Sequence, residues 1–259
     1  KRNLDKYGKV FSFNDGLRSV TSDYDFLLWP QQDWTTPFLP SSVAPDAERV
    51  MGATVMLNTN KVSPIQGSLY GLRRNLVRAF QSTNRPLTLG GSGWGLSSRD
   101  IAVMNGKALI WTLAHFELPV LREFANPLDL TGSITHVGRV EDKQHLFRKH
   151  EFALVIENTR DYVSEKLFDA IKAGCVPIYA GPDLQRCGIP KGVALEMGDD
   201  ATAYPAIVAS LSQDEKGEIL RTGAEWLRSP ETIKNWHADY VFASFARRID
   251  AYIINSGSL

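Results

Sequence analysis

The sequence predicts an α/β protein, a parallel sheet with helices on both of its faces. Three observations predict it. Short apolar runs alternate with helical patterns along most of the chain, the arrangement that builds parallel sheets. The run Phe152-Ala153-Leu154-Val155-Ile156 is apolar without alternation, as a strand buried on both faces must be. The stretch Phe152–Gly181 then fits strand, helix and strand into about thirty residues, one complete βαβ unit.

Lys9-Val10-Phe11-Ser12-Phe13 and Tyr24-Asp25-Phe26-Leu27-Leu28 read as two short strands. Pro30, Pro37, Pro40 and Pro45, with Ser41 and Ser42 among them, then break any periodic pattern, so residues 30–47 read as a linker. A strand over 53–58, a helix over 68–80 and a strand over 87–90 make the next pass. The segment Gly90–Gly95 is Gly-rich and contains Trp94, but it is too short and irregular for a dinucleotide fingerprint. Residues 97–150 carry the weakest signal, with a strand at Leu109–Leu113 and a helix near Val120–Phe124. In the 152–181 unit, Leu167, Phe168 and Ile171 share one helical face and Gly174 stops the helix. Pro177 stands near the start of the strand Val176–Ala180, where a missing N–H costs least. A strand over 193–197 and four helices complete the chain, which has no internal repeat or low-complexity tract.

A chain of 259 residues holds one large or two small domains with a real core. Lys plus Arg and Asp plus Glu each number 29, so the net charge is zero. That balance argues against bulk nucleic-acid binding, which relies on excess positive charge, and leaves room for a local basic pocket. Two cysteines, Cys175 and Cys187, are too few for a disulfide framework and are expected to stay reduced. No apolar run reaches the eighteen or so residues of a membrane helix, and no signal-peptide pattern opens the sequence. His115, His136, His145, His150 and His237 show no metal-ligand spacing, and no metal site is expected.

Chemistry concentrates in the polar residues between the strand at 152–156 and the helix that follows. Ligands of open α/β sheets sit outside the carboxyl ends of the strands. The free N–H groups and dipole of a helix start favour an anion there. Glu165 and Lys166 fall in the first helical turn, pointing roughly 100° apart. A Lys supplies a compact positive charge for a diphosphate, while a carboxylate accepts two hydrogen bonds from a ribose diol. These residues point to a nucleoside diphosphate site.

The same segment resembles the donor-binding motif of the α-1,3/1,4-fucosyltransferases (glycosyltransferase family 10), in particular its bacterial-type members. The residues that carry the resemblance are Glu157-Asn158, Tyr162-Val163-Ser164-Glu165-Lys166 and Val176-Pro177-Ile178. Upstream, Ala53–Asn58 is similar to the family's strand ending in Asn, Arg73-Arg74-Asn75 to its Arg-containing helix start, and Leu87–Gly91 to its next strand and Gly turn. Downstream, Gly188-Ile189-Pro190 and the strand before Asp199-Asp200 also fit, so the likeness covers roughly residues 50–250. It implies an inverting transferase that moves fucose from GDP-fucose to a glycan hydroxyl, with a bacterial surface polysaccharide as the acceptor. It also implies two Rossmann-like domains facing across a cleft, the GT-B arrangement. Residues 1–29 would then be the remnant of the N-terminal, acceptor-side domain, and 48–259 the donor-binding domain with C-terminal helices crossing back. The expected compartment is the bacterial cytoplasm, peripheral at most to the inner membrane.

Carried over by position, the resemblance implies that Lys166 binds the diphosphate and Glu165 the ribose, with Tyr162 and Asn158 as further donor contacts. Arg74 matches the family's phosphate-binding Arg best, with Arg73 as the second candidate. Glu157 is either a donor contact or a structural partner to a backbone N–H. Trp94 either packs or lines the cleft. An inverting transfer needs a general base for the acceptor hydroxyl and a stabiliser for the departing diphosphate. Two cations can supply the second, so no cofactor is expected. Asp161, Asp183, Asp199 and Asp200 lack the Asp-x-Asp spacing of metal-dependent transferases, and Asp23 and Asp25 have that spacing but precede a strand. The resemblance places the base on a Glu of the N-terminal domain, and no residue of this sequence matches it. Two other readings stand beside the first: a transferase of the same fold with another nucleotide sugar, and a non-catalytic sugar-nucleotide or glycan-binding module.

Overall fold

The computed structural model describes residues 9–12, 21, 23–28, 30–31, 49–63, 67–95, 106, 128, 130–198 and 200–255. In chain order its strands and helices are β1 (Val10–Ser12), β2 (Tyr24–Phe26), β3 (Val50–Leu57), α1 (Tyr70–Ser82), β4 (Leu87–Gly90), β5 (Ile134–Gly138), α2 (Lys143–Arg148), β6 (His150–Ile156), α3 (Glu165–Lys172), β7 (Val176–Ala180), β8 (Leu195–Glu196), α4 (Tyr204–Ser210), α5 (Gln213–Arg228), α6 (Pro230–Trp236) and α7 (Ala238–Asn255). Strands β1 and β2 form a small parallel pair, with Phe11 opposite Asp25. The other six form one parallel sheet in the order β5-β4-β3-β6-β7-β8. Strand order therefore runs outward in both directions from the β3–β6 pair. A crevice at the carboxyl ends of the strands opens at such a switch point.

The pattern of β6 explains its central place. All seven of its residues are buried. Because side chains alternate across a strand, Phe152, Leu154 and Ile156 enter one core with Met56, Leu76, Phe80 and Leu89. Ala153 and Val155 enter the other, with Phe168, Trp226 and Trp236. In that second core the three rings pack edge and tilt, with Phe168 5.1 Å from Trp226 and 5.2 Å from Trp236 between centroids. Helix α3 ends as its sequence predicts, with Gly174 in the left-handed region at φ 71°. Arg49 closes that end of α3. Its Nη2 donates to Ala173 O at 2.7 Å, its Nη1 to Gly174 O, and its Nε to Arg148 O at 3.1 Å. Cys175 lies fully buried beside this turn, and burial pushes its thiol up to about 12.

Several boundaries differ from those the sequence predicts. Helix α1 starts at Tyr70 and not at 68, because Gly67 takes φ 79° and Ser68 bridges Thr159, which holds both out of the helix. β8 keeps two residues of the strand predicted at 193–197. β5 and α2 stand in the 97–150 stretch, at positions where the sequence shows no pattern. β5 is an edge strand, Ile-Thr-His-Val-Gly, with three exposed residues, so no alternation marks it. The strand predicted at 109–113, the helix near 120–124 and most of the 30–47 linker lie outside the described residues. Gln31, within that linker, is buried and exchanges backbone bonds with Trp236 and Ala238. Among the described residues four α-helices follow β8. The last, α7, reaches the small sheet, where Arg248 donates to Asp25 at 3.1 Å and to Phe26 O at 2.9 Å, and Phe245 meets Phe11 at 5.2 Å.

Candidate functional site

The chain leaves β6 at Glu157, loops through 158–164 and enters α3. Ser164 caps that helix, its hydroxyl accepting from Lys166 N. Glu157 is fully buried and organises the loop. Its Oε1 accepts from Ser164 N at 2.8 Å and its Oε2 from Ser164 Oγ at 2.7 Å. Lys166 folds back over the same carboxylate, with Nζ 3.2 Å from Glu157 Oε2 and 2.8 Å from Ser164 Oγ. The Lys166 side chain keeps 17% of its surface exposed. A Cβ at Gly181 would run into the Tyr179 hydroxyl and Glu157, so the β7 turn closes this anchor from behind.

Across the β3–β6 pair, α1 carries Arg73 and Arg74 inward. Arg73 is fully buried. Its Nη1 donates to Thr59 O at 3.0 Å, and its Nη2 to Ile156 O, Glu157 O and Asn158 Oδ1, each at 2.9 Å. The Tyr70 ring covers its guanidinium at 4.4 Å. Burial pulls Arg73 down to about 10, with Tyr70 and Glu157 acting against the fall, so it is charged at neutral pH. Arg74 turns the other way, to Asn60 Oδ1 at 3.2 Å and to Lys61 O. Trp94 is buried in the core and donates to Asn58 O at 2.6 Å. Gly91 presses so closely on Asn58 O that no Cβ fits there.

These elements enclose a cavity of about 450 Å³ over the carboxyl ends of β3, β4, β5 and β6. Lys61, Arg73, Arg139, Lys143 and Lys166 line it, and Glu165 is the one carboxylate among the described lining residues. Lys143 sits 3.4 Å from Glu165, both about half-exposed. Burial pushes the Glu165 carboxyl up, but Lys166 and Lys143 together hold it below the usual carboxylate range. It is therefore an acceptor at neutral pH. The arrangement offers a concave, cationic seat with one carboxylate, closed beneath by the starts of α1 and α3. A polyanion bearing a hydroxyl pair is the ligand such a surface complements.

Of the residues singled out by sequence, Asn158, Glu165, Lys166 and Arg73 line this cavity. Tyr162 stands beside it, its hydroxyl accepting from Asn158 Nδ2 at 3.0 Å. The other three candidates are not among its lining residues. Arg74, the better match to the family's phosphate-binding Arg, is buried and donates to Asn60 and Lys61, whereas Arg73 lies on the cavity. Trp94 packs and does not line the cleft. Glu157 is a buried structural partner to Ser164 N. Lys61, Tyr70, Arg139 and Lys143 escaped the sequence reading. Arg139 and Lys143 lie where no element was legible, although the Gly90-Gly91 turn did mark the strand beside them. Among the described residues no group of three or more His, Cys, Asp or Glu is placed to hold a metal ion, and no helix is long and apolar enough to cross a membrane.

No protein-family model matches the chain, and no curated protein matches its sequence. Solved structures do match in fold. Anabaena Alr3699/HepE in complex with UDP is similar with a TM-score of 0.55 at 10% identity, covering 94% of this chain and 64% of that one. TarM is similar with a TM-score of 0.52 at 8% identity, covering 95% of this chain and 44% of its own. An α,α-trehalose-phosphate synthase (UDP-forming) from Burkholderia vietnamiensis gives 0.50 at 12% identity, over 80% of this chain and 46% of that one. These neighbours are GT-B glycosyltransferases, and the chain shares their Rossmann-like α/β fold. At such identities the likeness is one of fold alone. The chain spans less than two thirds of the length of each.

Proposed function

We propose that this chain binds the donor of a glycosyltransferase that takes a sugar from a nucleoside diphosphate, residues 48–259 forming the donor-binding domain. In the form we favour, the donor is GDP-fucose, the acceptor is a glycan hydroxyl and the anomeric carbon inverts. One observation carries the proposal. At the β3–β6 switch point, a cavity holds Glu165 beside Lys166 over a helix start, in the motif similar to that of the fucosyltransferases. Glu165 accepts from the ribose diol, and Asn158 and Tyr162 flank it. Lys166 reaches the diphosphate, where negative charge builds as the glycosidic bond breaks. Arg73 acts through its charge from beneath, since backbone carbonyls and Asn158 engage its Nη1 and Nη2. The general base is not assigned to any residue of this chain.

The second reading keeps the fold and changes the donor to a UDP-sugar. It is favoured by HepE, whose structures hold UDP and UDP with glucose. A thermal-shift titration with GDP, UDP and GDP-fucose separates the two. A nucleotide at a hundred times its Kd should stabilise the fold by about 2.7 kcal/mol. Greater stabilisation by UDP than by GDP replaces the first donor with the second. No stabilisation by any of the three overturns the nucleotide site. Sugar release from GDP-fucose with and without glycan then distinguishes a transferase from a binding module.

A further inference from the structure

The cavity has a cationic side and an apolar corner. Gly90 ends β4, and a Cβ built there would lie 2.5 Å from Leu57 Cδ2 and 2.7 Å from Val140 Cγ2. The missing side chain is what lets these two residues close together over the sheet. Both are half-buried, and both line the cavity beside Gly91 and Arg139. Gly138, in the left-handed region at φ 71°, turns the chain out of β5 immediately before Arg139. Arg139 is exposed into the cavity and makes no hydrogen bond or ion pair among the described residues. The corner connects to Glu165 through Lys143, which starts α2 just beyond Arg139 and pairs with Glu165 at 3.4 Å.

We infer that this corner is the base subsite of the nucleotide and that Arg139 selects guanine. The inference rests on the nucleotide reading above. A ribose held by Glu165 has the diphosphate on one side and the base on the other. All six line the cavity, and we assign Lys166, Lys61 and the buried Arg73 to the first side and Lys143, Arg139 and Val140 to the second. Leu57 and Val140 offer the flat apolar contact a base ring needs. One edge of guanine carries two adjacent acceptors, O6 and N7, which a guanidinium fork meets with two parallel N–H bonds. Adenine sets an amino donor beside N7, and uracil sets its N3–H donor beside O4. Either leaves one arm of the fork facing a donor, and a polar group left unpaired is what makes such discrimination strong.

Calorimetric titration with GDP, ADP and UDP tests this on the intact chain, on Arg139→Ala and on Arg139→Lys. The unsubstituted chain should prefer GDP. Arg139→Ala should weaken GDP by about 5- to 150-fold, the span of one bidentate base contact, and leave UDP unchanged. Arg139→Lys keeps the charge and loses the fork, so the preference should not return. Because Arg139 is exposed, thermal melts of all three proteins should coincide. Equal affinity for GDP and UDP, an Arg139→Ala loss shared equally by both, or full rescue by Lys overturns the inference and makes Arg139 a phosphate ligand or a bystander. Failure of the nucleotide reading has a different signature: no binding of any nucleotide by the unsubstituted chain, which overturns both.

Discussion

Replacing Lys166 by Ala should unsettle the fold as well as the ligand. An exposed lysine at a helix start would be near neutral to remove, but Lys166 lies over Glu157, which is fully buried. Breaking a buried ion pair from one side costs about 3–5 kcal/mol, because the partner charge is left uncompensated. Glu157 keeps two acceptor contacts, with Ser164 N at 2.8 Å and Ser164 Oγ at 2.7 Å. The loss should therefore fall at or just below the low end, about 2–3 kcal/mol. For a chain of this size that lowers Tm by about 4–12 °C. Urea unfolding of Lys166→Ala, Glu157→Gln and the double variant gives the assay. Once Glu157→Gln has removed the buried negative charge, the lysine has little to compensate, so the two losses should be non-additive by about 1–3 kcal/mol. Stability within about 0.5 kcal/mol of the unsubstituted protein, or equal loss on both backgrounds, refutes the argument. Nucleotide affinity of Lys166→Ala should fall by a further, separable amount of about 1.5–3 kcal/mol, the worth of a charged hydrogen bond.

Two other predictions concern the scaffold beneath the cavity. Arg49→Met keeps the aliphatic stem but removes three hydrogen bonds to the carbonyls of Arg148, Ala173 and Gly174. It should cost about 2–4 kcal/mol in urea unfolding, and an unchanged midpoint would contradict that role. His150 is held below its ordinary value chiefly by burial, opposed by its bond to Leu146 O. An unfolded imidazole takes its proton near pH 6.5 while the native one stays neutral. Stability should thus be complete above that pH and fall as the medium is acidified. Melting curves from about pH 7.5 to about 5.5 should show a shallower fall in His150→Gln, and identical slopes would dismiss the assignment.

Local pattern decided the centre of the protein. The unbroken apolar run of β6, the Leu167-Phe168-Ile171 face and the stop at Gly174 each specify an element, because burial on both sides leaves no freedom in residue type. The position of Glu165 and Lys166 at a helix start over a parallel sheet followed from the same reading. Edge elements did not declare themselves. β5 buries one of its five residues, so nothing periodic separates it from a loop.

What the chain's order alone determined is the βαβ scaffold and the presence of a cation and a carboxylate at its tip. Tertiary structure decided which neighbour each charge meets. Arg73 and Arg74 are adjacent in sequence, yet a turn of roughly 100° per residue sends one toward the β3–β6 crevice and the other into the 60–61 loop. Glu157 and Lys166 meet only because the loop capped by Ser164 folds back on itself. Arg139, in the turn after edge strand β5, and Lys143, at the start of α2, join the cavity from a segment distant in sequence. Charge positions of this kind depend on how distant strands are ordered in the sheet, and no local pattern encodes that order.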